Sequence, residues 1–111
     1  MIWGTSTIGT ALVARPQGRV DESNWTDFSQ ALVAAIEVAQ GAAQQLVVDL
    51  SGIDYMSSRG LRALSTALTA AKAANVPMSL AAPGTAMRQI LAISRYDKLF
   101  AVHDAVADVT G

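Results

Sequence analysis

Short apolar runs alternate along this chain with longer segments whose apolar residues recur at helical spacing. The runs cover residues 9–17, 46–50, 78–82 and 99–102, and Gly, Pro and Ser interrupt the chain around them. Because a strand, a helix and a second strand in one sheet require a crossover connection, this order favours a largely parallel sheet. The sequence therefore predicts an α/β fold with a sheet of four or five strands, an N-terminal edge strand and about four helices.

The helical segments carry recognisable start signals. Ser23 or Asn24 can cap the first helix, the second begins at Ser57 or Ser58, and Asp104 can cap the last. The apolar residues that define the first three helix faces are Trp25, Phe28, Leu32, Ile36 and Ala39, then Leu61, Leu64, Leu68 and Ala71, then Met87, Ile90 and Leu91. We expect Trp3, if its N-terminal segment is ordered, to lie on the edge of the sheet.

Length and composition favour one domain over residues 1–111. Hydrophobic residues make up 51% of the chain and charged residues 15%, with a formal net charge of −1. The charges are scattered singly, so no patch favours nucleic acid or a membrane surface as a partner. The N-terminus lacks the pattern of a signal peptide and no apolar stretch is long enough to span a bilayer, so we expect a cytoplasmic protein.

Residues for catalysis or cofactor binding are scarce. The chain has no cysteine, and its one histidine, His103, follows an apolar run and precedes an aspartate, as loop residues often do. No Gly-x-Ser-x-Gly motif or glycine-rich phosphate loop is present. The sequence therefore predicts a protein that is not an enzyme and that needs neither a metal nor a cofactor.

The segment DYMSSRGL, residues 54–61, places two hydroxyls and a positive charge at the start of the second helix. Free backbone amides point outward there, and they favour a negatively charged group. Ser57 is a natural N-cap and Ser58 then takes the first helical position, where a phosphate would lie beside Arg59 or Arg62. The alternative is simpler: both serines serve only to cap the helix, and the arginines are solvated.

The same region resembles a known family. LVVDLSGIDYMSSRGLRAL is similar to the signature of STAS domains of the bacterial anti-sigma-factor antagonist type, in which Asp-Leu-Ser and an apolar-aromatic pair precede Asp-Ser-Ser-Gly-Leu. Residues 18–21, 74–91 and 96–109 also resemble family segments, so the likeness covers nearly the whole chain.

The resemblance implies a binding module that works by partner switching. In such a pathway the unphosphorylated protein binds an anti-sigma factor that is also a GHKL-type serine kinase, phosphorylation releases it, and a PP2C-type phosphatase restores it. Carried over to this sequence, the phosphorylated residue is Ser58, with Ser57 as a rival. Asp21 matches the family's acidic residue near the phosphorylation site. The predicted partner-binding residues are Asp21, Asp54, Tyr55, Ser57, Ser58, Arg59, Gly60, Arg62 and Met87.

Two positions depart from the family pattern. Ser57 replaces the usual aspartate, and Arg59 replaces the second serine. Arg59 can pair with a phosphate on Ser58, or it can present charge to a different partner. The alternative function is therefore a constitutive scaffold, similar to the STAS subunits of lipid-transport ATPases, that works without phosphorylation. In the switching mechanism, Gly60 would let a partner approach the start of the helix closely, and Met87 would add an adaptable contact.

Overall fold

The computed structural model describes residues 1–110, so Gly111 of the predicted domain lies outside the described residues. Residues 1–110 form six strands, which are β1 (Ile2–Ile8), β2 (Ala11–Val20), β3 (Gln45–Asp49), β4 (Ile53–Met56), β5 (Met78–Ala81) and β6 (Val102–His103). The same described part of the chain forms five helices, which are α1 (Trp25–Gly41), α2 (Ser58–Ala73), α3 (Thr85–Ser94), α4 (Tyr96–Leu99) and α5 (Ala107–Thr110).

The strands form one mixed sheet in the order β1-β2-β3-β5-β6, and β4 pairs separately with β2. β1 is antiparallel to β2, whereas the other four pairs are parallel. The predicted α/β class and largely parallel sheet are thus confirmed. β2 therefore pairs with three strands: β1 along one side, and β3 and β4 one after the other along its other side.

The N-terminal edge differs from the prediction. Residues 9–17 were expected to form the edge strand, with Pro16 near its end, but β2 continues to Val20 and the preceding β1 forms the edge. Pro16 is tolerated because it lies between the part of β2 that pairs with β3, which ends at Ala14, and the part that pairs with β4, which starts at Gly18. As predicted for an ordered N-terminus, Trp3 packs at this edge, with its ring edge-on to Phe28 at a centroid distance of 5.9 Å.

Two further segments differ from the prediction. The sequence predicts no strand at residues 53–56, but they form β4, because Ile53 and Met56 are buried and the backbone pairs with β2. The last strand was placed at residues 99–102 and is observed at Val102–His103, since Leu99 ends α4 and Phe100 fills the core instead.

The core is asymmetric about the sheet. The larger cluster joins one sheet face, with Leu12, Leu46, Val48 and Leu80, to the buried faces of α1 and α2. The opposite face carries a small cluster, against which the C-terminal segment packs; the cluster residues are Ala11, Val13, Val47 and Ala81, with Val106 and Val109 beside them. Among residues 1–110, no helix is long and apolar enough to cross a membrane.

Candidate functional site

The candidate site is the junction at which β4 ends and α2 begins. Ser57 is the N-cap of α2: its hydroxyl oxygen accepts a hydrogen bond from the Gly60 amide at 3.3 Å. The Ser57 amide donates to the carbonyl of Val20 at 2.8 Å, which ties the junction to the end of β2. The Ser57 carbonyl also accepts a hydrogen bond from the Leu61 amide at 3.0 Å, so the amide, hydroxyl and carbonyl of Ser57 all serve the local structure, as expected of a good N-cap residue.

Ser58 is the first residue of α2, and it is exposed. Its position at the start of the helix puts it beside the amides that have no acceptor within the helix. The two serines are thus distinguished by geometry, since Ser57 is half-buried and caps the helix, whereas Ser58 faces solvent.

Arg59 points toward α1. Its Nε lies 3.0 Å from a carboxylate oxygen of Glu22, and its guanidinium carbon lies 5.5 Å from the centroid of the Trp25 ring. An ion pair and a cation–π contact on one guanidinium restrict it more than either contact would alone. Of the two roles considered for Arg59, pairing with a phosphate on Ser58 would bring that phosphate into competition with Glu22 for the same guanidinium.

Arg62 lies one helical turn beyond Ser58 and is exposed. Residues four positions apart on a helix are neighbours on its surface, so the Arg62 side chain can reach the Ser58 hydroxyl. Among residues 1–110, no carboxylate lies within salt-bridge distance of Arg62. Arg62 also lines a groove of about 380 Å³ between α1 and α2; the other lining residues are Trp25, Ser29, Arg59, Ala63 and Thr66.

Asp21 lies in the turn between β2 and α1. One carboxylate oxygen accepts hydrogen bonds from the hydroxyl and the amide of Ser23, at 2.6 and 2.9 Å. The other oxygen lies 3.2 Å from Nε of Arg19. The Ser23 hydroxyl, then the Ser23 amide and then the charge of Arg19 hold the pKa of Asp21 below its ordinary value of 3.8, although partial burial opposes them.

Asp54 and Tyr55 are predicted partner-binding residues that lie on β4. Both are exposed. The Tyr55 ring packs under the guanidinium of Arg19, with 4.9 Å between the guanidinium carbon and the ring centroid. Arg19 therefore contacts both Asp21 and Tyr55. These two residues of the predicted partner-binding set thus belong to one cluster around Arg19.

Gly60 has a different role from the predicted one. It is buried, and a Cβ at this position would lie 2.6 Å from Cγ of Met56 and 2.8 Å from Cγ1 of Val20. The glycine is needed so that the first turn of α2 can pack on β2 and β4. Its absent side chain therefore serves packing within the protein, and the expectation that it clears space for a partner is wrong.

Met87 does not lie on the surface, so the expectation that it contacts a partner is wrong. Its side chain is fully buried in the main core, on the inner face of α3. A buried thioether cannot contact a docking protein unless α3 moves. Met87 instead fixes α3 on the sheet.

Three residues that contact the predicted site residues are absent from the predicted partner-binding set: Arg19, Glu22 and Trp25. Trp25 was assigned to the apolar face of α1, and its half-buried ring does contact the main core. Glu22 and Arg59 are far apart in sequence, so no local spacing links them. The likeness of residues 18–21 to a family segment was the one signal that pointed to this turn.

Comparison with known proteins agrees with this architecture. The family model for the STAS domain matches residues 3–109. An anti-sigma factor antagonist from Mycobacterium paratuberculosis superposes with a TM-score of 0.80 at 20% identity, covering 96% of this chain and 88% of that one. The anti-sigma factor antagonist SpoIIAA in its unphosphorylated form gives a TM-score of 0.71 at 17% identity, covering 91% of this chain and 87% of that one.

A third similar structure comes from a different kind of protein. A sulfate transporter family protein from Wolinella succinogenes gives a TM-score of 0.77 at 9% identity, covering 95% of this chain and 86% of that one. At these identities the structural likeness establishes the fold, while the family model covers nearly the whole sequence. The chain belongs to the STAS domain family.

Proposed function

We propose that this protein is a phosphorylation-switched interaction module of the anti-sigma-factor antagonist type. With Ser58 unmodified, it binds an anti-sigma factor that is also a serine kinase; with Ser58 phosphorylated, it is released. The observation that carries the proposal is the division of roles at the start of α2, where Ser57 caps the helix and Ser58 is left exposed. A hydroxyl that the fold does not use is available for modification.

The comparisons support this proposal. The two structures of SpoIIAA were determined in an unphosphorylated and a phosphorylated form, and both have the present fold. The proposal also includes what the family resemblance implies: a cytoplasmic, non-enzymatic module whose phosphate a PP2C-type phosphatase removes.

The modification adds charge without disturbing the fold. The kinase would transfer the γ-phosphoryl group of ATP to Oγ of Ser58, with release of ADP and of the hydroxyl proton. A phosphoserine carries about −1.5 to −2 charges at neutral pH. Arg62 is the basic residue best placed to pair with it, because Arg59 is engaged by Glu22 and Trp25.

The added charge would act on the partner rather than on the module. Asp21, Glu22 and Asp54 already lie on or near this end of the protein. A phosphate beside them would repel an acidic partner surface and would add a desolvation cost against an apolar one. No change of backbone conformation is needed for release.

A constitutive scaffold is the second candidate function. It is favoured by the arginine at position 59 in place of a second serine, and by the contacts that hold that arginine against α1. It would match a subunit of a larger assembly, such as a lipid-transport ATPase, that binds its partner without phosphorylation.

Phosphate mapping distinguishes the two functions. The purified protein is incubated with ATP and each GHKL-type serine kinase of its own genome, and modified sites are located by mass spectrometry. We expect modification at Ser58, retained in Ser57→Ala and lost in Ser58→Ala. Absence of phosphate from both serines with every kinase would favour the scaffold, and modification of Ser57 alone would contradict the assignment of Ser58.

A further inference from the structure

The exposed edge of the sheet is a second surface with no role in the proposed switch. β1 lies at one end of the strand order, so the backbone groups on its outer side have no strand partner within residues 1–110. Proteins usually protect such an edge with charged side chains, proline or a bulge. β1 has the sequence IWGTSTI, without charge or proline, and its pairing with β2 runs regularly through all seven residues.

Exposed apolar side chains are concentrated beside this edge. Eight large apolar side chains are exposed among residues 1–110, and four of them lie on or near β1: Met1, Ile2, Ile8 and Val38. Ile2 is 69% exposed and Val38 is 56% exposed. Because side chains alternate along a strand, Ile2 and Ile8 lie on the sheet face opposite to Trp3 and α1, so exposed apolar side chains flank the unprotected edge on both faces.

An apolar groove runs along the same edge. It has a volume of about 220 Å³, and it lies between β1 and α1, with Trp3 and Thr5 on the strand side. The helix side is formed by residues at helical spacing, which are Ala31, Ala34, Ala35 and Val38. The edge and the groove are adjacent, so one partner can cover both.

We propose that β1 pairs antiparallel with β1 of a second copy of this chain, around a two-fold axis at Thr5. In this register Ile2 of one copy lies opposite Ile8 of the other, and Trp3 lies opposite Thr7. The outermost apolar residues of the strand are thus matched with each other by symmetry. Both strands are uncharged, so no like charges oppose each other across the axis.

The same symmetry covers the groove. A two-fold axis between antiparallel strands is perpendicular to the sheet, so both α1 helices lie on the same face of the joined sheet. The two grooves then meet at the seam, and the exposed Val38 side chains are brought toward the partner. An extended segment of another protein would satisfy the strand edge, but it would supply no helix to this groove.

Sedimentation analysis of the full chain from micromolar to millimolar concentration tests the proposal. We expect a dimer whose dissociation constant rises about tenfold or more in Thr5→Lys, because the two lysines face each other across the axis. Thr69→Lys, at an exposed position on α2, is the matched control and should leave the dimer unchanged. Circular dichroism melting identifies any loss caused by misfolding.

Cysteine cross-linking tests the register directly, because the chain has no cysteine of its own. Directly opposed residues of antiparallel strands have Cα atoms about 4.5 to 5.5 Å apart, within reach of a disulfide. Oxidised glutathione should therefore link Thr5→Cys into a covalent dimer and leave Thr69→Cys largely unlinked. A protein that stays monomeric at every concentration would overturn the proposal. A dimer that is not cross-linked in the Thr5→Cys variant would overturn the axis at Thr5.

Discussion

Gly60 and Met56 lie so close together that a Cβ at residue 60 would stand 2.6 Å from Cγ of Met56. Gly60→Ala should therefore destabilise the protein, although alanine is favoured over glycine in a helix by about 1 kcal/mol. Overpacking of a core typically costs about 1–3 kcal/mol, so after the helical gain of about 1 kcal/mol we expect a net loss of about 1 kcal/mol, and at most about 2 kcal/mol, in the free energy of unfolding. Urea denaturation measures it.

Gly41→Ala is the control for this substitution. Gly41 is the last residue of α1, and a Cβ there meets no atom within 4 Å. We expect unchanged or slightly raised stability in this variant. Equal losses in the two variants would mean that packing against Met56 does not determine the requirement for glycine at residue 60.

The two serines should differ in what they contribute to stability. Ser57→Ala removes the hydroxyl that accepts a hydrogen bond from the Gly60 amide. Loss of an N-cap typically lowers the free energy of unfolding by about 1 kcal/mol. Ser58→Ala removes an exposed hydroxyl at the first helical position and should change stability little. Thermal denaturation of both variants measures the difference; a larger loss in Ser58→Ala would reverse the roles assigned here.

A phosphate on Ser58 should respond to Arg62 more than to Arg59. The protein is made with phosphoserine incorporated at residue 58, and the second pKa of its phosphate is followed by phosphorus NMR. We expect Arg62→Gln to raise that pKa by a few tenths of a unit, as for loss of an exposed ion pair. Arg59→Gln removes the same charge from the neighbouring position and should have the smaller effect. A larger effect of Arg59→Gln would mean that Arg59 binds the phosphate in spite of its contact with Glu22.

Acid should weaken the turn that holds Asp21. Because the pKa of this carboxyl is lower in the folded protein than its ordinary value of 3.8, ionisation of Asp21 stabilises the fold above that pH. This contribution is lost as the pH falls below 3.8 toward the folded-state pKa. Asp21→Asn keeps an oxygen that can accept from Ser23 but does not titrate.

The measurement is the difference in unfolding free energy between the wild type and Asp21→Asn, followed with pH. We expect this difference to shrink as the pH falls below 3.8. A constant difference across that range would show that the charge of Asp21 contributes nothing to stability.

The sequence predicted the parts of the fold that depend on local pattern. The helical face through Phe28, Leu32 and Ile36 and the strand at residues 46–50 both appear within a residue or two of their expected places. β1 was missed because Gly4 and three hydroxyl residues dilute its apolar pattern, and its stability comes from pairing with β2. β4 was missed because a four-residue strand has too few residues for a period to be recognised.

The candidate site was predictable at its serines and less so around them. N-cap preference and the strand-to-helix junction indicated Ser57 and Ser58 from local sequence alone. The roles of Gly60 and Met87 were wrong because burial depends on what α2 and α3 pack against, which the local sequence does not specify. The contact of Arg59 with Glu22 depends on how α1 and α2 lie side by side, which is likewise a property of the folded chain.

The most direct test of the account is the affinity of the serine kinase partner for two forms of this protein. Isothermal titration compares the unmodified chain with the chain carrying phosphoserine at residue 58, and Ser58→Ala serves as a control that cannot be modified. We expect the phosphate to weaken binding about a hundredfold or more, which corresponds to about 3 kcal/mol, while Ser58→Ala binds as the wild type does. Equal affinities of the two forms for the partner would contradict the central claim that one added charge at Ser58 decides whether another protein binds.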